Sequence, residues 1–193
     1  LFGNVTTTVS KSSSAPAVQE EIPANFETIE TAKHDYKFVD KPADIKKLVA
    51  DLNGYKEVCF DTETTGLDPL LCDLVGMSFS VKKGQAFYVP CPKDKKECLE
   101  FLKEFEALFA NEKITWIGQN LKYDYLVMKN YGHLLAGDVF DTMLAHYVIE
   151  PEGKRSMDVL AEQYLNYSPV SIETLIGKKG RTKKIWVTLS KSK

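Results

Sequence analysis

Alternating and helically spaced apolar positions begin at Tyr36 and continue to about residue 165, and they predict an ordered series of short elements. Strands are expected over 36–39, 57–63, 74–81, 85–89 and 114–117, with Lys83-Gly84 as the hairpin turn between the third and fourth. Helices are expected over 44–52, 95–110, 122–131, 141–149 and 156–165. In the longest of them Cys98, Leu99, Leu102, Phe105, Leu108 and Phe109 form one apolar stripe. Antiparallel strands followed by a strand alternating with helices give an α/β fold class, a mixed sheet flanked by helices. Residues 1–35 carry Ser, Thr, Pro and acids without sustained periodicity and read as a linker or extended arm, much of it poorly ordered.

The second strand breaks its pattern in an informative way. The apolar run Val58-Cys59-Phe60 stops abruptly at two carboxylates, Asp61 and Glu63, which a strand places on one face. Two like charges so close repel each other and lose hydration, so they persist beside water, a proton or a divalent cation, and a hard metal ion is the simplest occupant. A solvated strand edge bearing Asp and Glu is the bland alternative. Three features favour the cation: the preceding residues look like a buried strand, a Thr-Gly turn follows at once, and a third acid stands downstream in a tight context. That context is Trp116-Ile117-Gly118-Gln119-Asn120-Leu121-Lys122-Tyr123-Asp124, a short apolar strand, an amide-rich turn and a helix with Asp124 in its first turn. Sites in such sheets collect at strand ends, where Asp61, Glu63 and Asp124 are expected to meet.

Composition narrows the function classes. A chain of 193 residues with 44% hydrophobic and 11% aromatic residues has room for one domain with a real core. A net charge of −2 argues against a generic basic coat for nucleic acid but leaves room for nucleic acid bound through metals and a local groove. Cys59, Cys72, Cys91 and Cys98 form no CxxC pair and have no nearby His at zinc spacing, which fits a reduced, cytoplasmic setting. No stretch approaches a membrane span or a signal-peptide core, and a first residue other than Met suggests a piece of a longer protein.

Phe60-Asp61-Thr62-Glu63-Thr64, the string from Gly118 to Asp124, and Phe140-Asp141-Thr142-Met143-Leu144 together resemble the proofreading 3′-5′ exonuclease domain of bacterial, family A DNA polymerase I. Asn130-Tyr131-Gly132, Met157-Asp158 with Leu160-Ala161-Glu162, and residues 176–180 extend the resemblance over 36–180. It implies a ribonuclease-H-like fold, two divalent cations (Mg²⁺ or Mn²⁺) and hydrolysis at the 3′ end of single-stranded DNA. By the same resemblance Asp61 bridges both ions, Glu63 binds the ion that activates water, and Asp124 holds the second ion through water. Backbone amides near Thr64 face the terminal 3′ hydroxyl, Leu67 wedges near the terminal bases, and Gln119, Asn120 and Tyr123 flank the strand. Ordinary packing is the alternative for Tyr123, and a solvated charge pair at a helix start is the alternative to phosphate contact for Lys154 and Arg155. Asp141 reads as a helix N-cap, and His34, His133 and His146 as surface or packing residues. The implied partner is the rest of a parent polymerase polypeptide, with no membrane, in the bacterial cytoplasm at the nucleoid.

The resemblance fails at one motif. The family completes its site with Tyr-x-x-x-Asp on a later helix, whereas residues 181–193 hold neither a Tyr nor an acid and form a non-matching tail. A frameshift over 184–193 is one explanation and deliberate truncation the other. Little or no exonuclease activity is therefore expected of this chain by itself. The competing classes are an inactive structural or DNA-binding module of a polymerase and a ribonuclease-D-like enzyme that trims RNA.

Overall fold

The computed structural model describes residues 25–170; the motif at 176–180 and the tail at 181–193 lie outside them. Six strands form one mixed sheet: β1 (Asp35–Phe38), β2 (Glu57–Thr64), β3 (Leu74–Lys82), β4 (Gln85–Pro90), β5 (Thr115–Gly118) and β6 (Val139–Asp141). Their spatial order is β1-β4-β3-β2-β5-β6, with β2, β3 and β4 antiparallel in turn and β1, β5 and β6 parallel to their neighbours. The expected α/β mixed sheet is present, and β2 lies inside it.

Burial explains the placement of the elements. Helix α1 (Pro42–Leu52) buries Ile45, Leu48, Val49 and Leu52, one stripe at helical spacing. On the same side of the sheet, Phe60 meets Phe79 at 5.3 Å, Trp116 at 5.6 Å and Phe109 at 5.9 Å between ring centroids, and all four rings are buried. Offset and edge-on aromatic pairs of this kind contribute beyond their area alone. The sheet's other face opens on a groove of about 610 Å³ lined by Cys59, Ser78, Ile117, Leu160 and Tyr164, with His146 buried against it.

Two elements differ from the sequence expectation. Residues 95–110 do not form one helix: α2 (Lys95–Leu102) passes into a 3₁₀ turn at Lys103–Phe105 and then into α3 (Glu106–Phe109). The steps from Leu102 to Phe105 and Phe105 to Leu108 are three residues each, which a tighter winding keeps on one face. Phe105 thereby stacks on Phe79 at 5.9 Å, while Leu99, off that face, is 38% exposed. The second difference is β6, a three-residue strand pairing with β5 ahead of the helix α5 (Thr142–Ile149). Asp141 ends that strand and caps the helix, accepting hydrogen bonds from the amides of Met143 and Leu144. Helix α6 (Met157–Leu165) follows.

The segment read as an arm is in part ordered. Glu27 forms a parallel bridge with Tyr167: its amide donates to Asn166 O at 2.9 Å, and the Ser168 amide donates to Glu27 O at 2.8 Å. No helix among the described residues is long and apolar enough to cross a membrane.

Gly137, which leads into β6, has φ +84, and a Cβ there would sit 2.3 Å from Ile114 O. Gly137→Ala therefore combines left-handed strain with a backbone clash and should lower stability by at least ~1–2 kcal/mol. A thermal melt within a degree of the wild type would contradict this.

Candidate active site

Alternation along β2 sends Val58, Phe60 and Thr62 into the core and Cys59, Asp61 and Glu63 to the opposite face. Strand β5 pairs with β2 only from Glu57↔Thr115 to Cys59↔Ile117 and ends at Gly118, so the later part of β2 has a free edge on that side. Helix α4 (Leu121–Asn130) starts beside this edge. The turn into it uses a left-handed Asn120, φ 60 and ψ 40, and a Gly118 whose Cβ would lie 2.9 Å from Phe60 O. Asp124 falls in the first turn, as expected, and is 2% exposed. Its Oδ1 accepts hydrogen bonds from the Thr62 amide at 2.9 Å and the Thr62 hydroxyl at 2.6 Å.

The three acids share one electrostatic environment. Burial pushes the Asp61 carboxyl up to about 7, and the charges of Asp124 and Glu63 add to the effect. Glu63 is raised by burial and then by Asp124. Asp124 is raised by burial, which the hydrogen bonds from Thr62 partly oppose. No Lys, Arg or His pairs with any of them among the described residues. Desolvated, mutually repelling, oxygen-only donors without a counter-ion fit a hard divalent cation by their chemistry. They form a shared field rather than a finished cage, since no three acids, His or Cys among the described residues are gathered tightly enough to hold an ion.

Comparisons with known proteins bear on the family and the fold. The sequence matches the family described as 3′-5′ exonuclease over residues 36–189, so the match runs nine residues into the stretch read from the sequence as a non-matching tail. The chain belongs to this 3′-5′ exonuclease family. It is 35% identical over 158 residues to DNA polymerase I of Borreliella burgdorferi, covering 80% of this chain and 17% of that protein. DNA polymerase I of Pseudomonas aeruginosa is 35% identical over 161 residues, covering 79% of this chain and 18% of its own length. The chain thus spans less than a fifth of the length of these relatives. Among solved structures it is similar to NrnC of Brucella melitensis with bound Mg²⁺, with TM-score 0.57 and 20% identity over 79% of this chain and 70% of that one. It is similar also to Escherichia coli RNase D, with TM-score 0.57 and 16% identity over 77% of this chain and 39% of that one. These likenesses are of fold, and the fold class is the expected ribonuclease-H-like mixed sheet flanked by helices.

Two groups of the expected contact residues sit differently in the exonuclease domain. Thr64 and Tyr123 come together: the Tyr123 hydroxyl lies 2.6 Å from Thr64 Oγ1 and donates to Gly66 O at 2.6 Å. Tyr123 thereby fastens the loop after β2, on which Leu67 is 96% exposed beside the exposed Leu70 and Leu71. Gln119 instead faces inward, donating to Arg155 O at 2.8 Å and accepting from the Thr142 hydroxyl. The Asn120 amide donates to Asp141 Oδ1 at 3.1 Å, which ties the start of α4 to the cap of α5. The Arg155 guanidinium donates to Pro151 O at 2.7 Å and lies 5.1 Å from the Tyr147 ring centroid.

Sequence reasoning missed Thr62 and Tyr88. Tyr88 lies opposite Ser78, which is itself opposite Asp61, so all three share the acid face. Its hydroxyl covers Gly76, the partner of Glu63, and a Cβ on Gly76 would meet that oxygen at 2.2 Å. Burial pushes the phenol up to about 12, with the Glu63 charge adding. Counting inward from the Lys83-Gly84 turn puts Tyr88 opposite Phe79, but the register shifts between Phe79 and Lys82 and moves it one residue onto the acid face.

Proposed function

We propose that this exonuclease domain removes the 3′-terminal nucleotide of single-stranded DNA by two-cation hydrolysis, as the proofreading part of a bacterial DNA polymerase I polypeptide. The observation that carries the proposal is the trio of carboxylates, Asp124 buried and Asp61 and Glu63 half-buried, with no counter-ion among the described residues, on the strand that leads into the loop exposing Leu67 and on the helix beside it. Mg²⁺ or Mn²⁺ held there would activate water and stabilise the leaving 3′ oxygen. Asp61, which feels the charges of both other acids, would serve both ions, with Glu63 and Asp124 each serving one. Asp61 must release its proton to do so, so cation affinity should rise with pH up to about 7. Leu67 would rest against the terminal base, and Tyr123 would keep that loop in place through Thr64 and Gly66. Thr64 would border the 3′ hydroxyl, while Asn120 and Gln119 would border the strand through the turn they build. Residues 181–193 hold neither a Tyr nor an acid, and a Tyr-x-x-x-Asp helix of the family's pattern would add a further ligand and a group that orients water.

Digestion of 5′-labelled single-stranded DNA and RNA of one length, with Mg²⁺ or Mn²⁺, tests this reading against its rivals. Slow shortening of the DNA from its 3′ end is expected, abolished in Asp61→Ala. The rate should lie on the order of a hundredfold or more below that of a chain supplied with the Tyr-x-x-x-Asp helix. Faster shortening of RNA would move the assignment to RNA trimming. DNA that stays intact even with that helix supplied would leave a structural or DNA-binding module.

A further inference from the structure

We infer that the Thr62 hydroxyl is a positioning group for the third acid: it holds the Asp124 carboxylate by Oδ1 and so presents Oδ2 as the oxygen available to a cation. The inference deepens the two-cation reading and rests on it for its consequence, but its geometry stands apart from it. Thr62 occupies the middle of the Asp61-x-Glu63 unit, a position that alternation turns away from both acids and into the core. A core position in a strand ordinarily takes an apolar side chain, and its neighbours Val58 and Phe60 are apolar and buried. Thr62 is buried as well, yet carries a hydroxyl.

That hydroxyl has a partner because β5 leaves the sheet early. With β2–β5 pairing finished at Cys59↔Ile117, the Thr62 amide has no strand partner on that side, and a buried amide left alone is costly. Asp124, carried on α4 to the open edge, takes both the amide and the hydroxyl on the same oxygen, at 2.9 and 2.6 Å. Two donors at fixed angles define the plane and rotation of a carboxylate, whereas the amide alone leaves it free to swing about one bond. A β-branched side chain adds stiffness at χ1, so the hydroxyl itself does not wander. Groups that orient a metal ligand in this way commonly change metal affinity 10–100-fold when removed.

Thr62→Val keeps the shape and branching and removes the donor; Thr62→Ser keeps the donor. Two readouts separate positioning from folding. The first is metal-free: three-bond Hα–Hβ couplings of Asp124 should report one rotamer in the wild type and Thr62→Ser, and averaging in Thr62→Val. The second is calorimetric titration with Mn²⁺, where Thr62→Val should bind about tenfold more weakly and Thr62→Ser within about threefold of the wild type. Circular dichroism and a thermal melt confirm that each variant is folded. A single Asp124 rotamer in Thr62→Val would overturn the inference, as would equal averaging in Thr62→Ser. If the wild type shows one rotamer but takes up no Mn²⁺, the two-cation reading fails and the positioning of Asp124 is decided by the couplings alone.

Discussion

Asp61→Asn should raise the melting temperature of the metal-free exonuclease at pH 8 by several degrees and abolish its response to Mn²⁺. The Asp61 carboxyl is lifted from 3.8 to about 7 in the folded protein. Below about pH 4 it is protonated both folded and unfolded, and it favours neither state. Between about 4 and 7 the folded protein keeps the proton that the unfolded chain releases, so stability falls as pH rises through that window and levels off above it. The shift corresponds to a ceiling on the order of 4 kcal/mol. At roughly 2–4 °C per kcal/mol for a chain of this size, even half of that is readily measured. A neutral amide does not carry the charge, so the difference between wild type and variant should vanish near pH 4 and be largest at pH 8. Mn²⁺ should reverse the order by binding only the folded wild type and raising its melting temperature. Curves for the two proteins that run parallel from pH 4 to 8 would refute the buried, repelling carboxylate, and an equal gain with Mn²⁺ would refute its role as a ligand.

Phe60→Ala should cost roughly 3–5 kcal/mol, a large fraction of the margin of about 5–15 kcal/mol by which a domain is stable. Phe60 is 2% exposed and touches Phe79, Phe109 and Trp116, so its removal leaves a cavity walled by stiff rings that cannot collapse into it. Because Phe60 adjoins Asp61 in β2, the loss should also loosen the strand that carries both paired acids. Urea unfolding is the direct measure, and a loss below about 1.5 kcal/mol would show that the site repacks or that the four rings are not the centre of the core.

The parts of this architecture set by local pattern could be read from the chain, and the parts set by register and termination could not. The strand bearing Asp61 and Glu63, the hairpin at Lys83-Gly84, the placement of Asp124 in a first helical turn and the cap at Asp141 each follow from a few adjacent residues. Strand β6 was invisible because three residues are too few to show a period, and its sheet partner among the described residues, β5, is a distant segment. The break after Leu102 was invisible because three-residue steps suit both an α-helical stripe and a 3₁₀ turn; only contact with Phe79 chooses between them. Thr62 was passed over since its partner is 62 residues away and depends on where β5 stops. Gln119 looked like a contact for DNA because an amide next to a strand end reads as available, yet Arg155 and Thr142 occupy both of its ends. Tyr88 needed a one-residue shift that no pattern announced.

The bridge between Glu27 and Tyr167 gives the domain a mechanical character. It brings together two points 140 residues apart in the chain through two backbone hydrogen bonds, Glu27 N to Asn166 O and Ser168 N to Glu27 O. A force pulling residues 25 and 170 apart would load this clasp before it reached the six-stranded sheet. The clasp would act as a fuse, parting while β2 and its acids stay in register, so tugging or reorientation of neighbouring chain need not reach Asp61, Glu63 and Asp124.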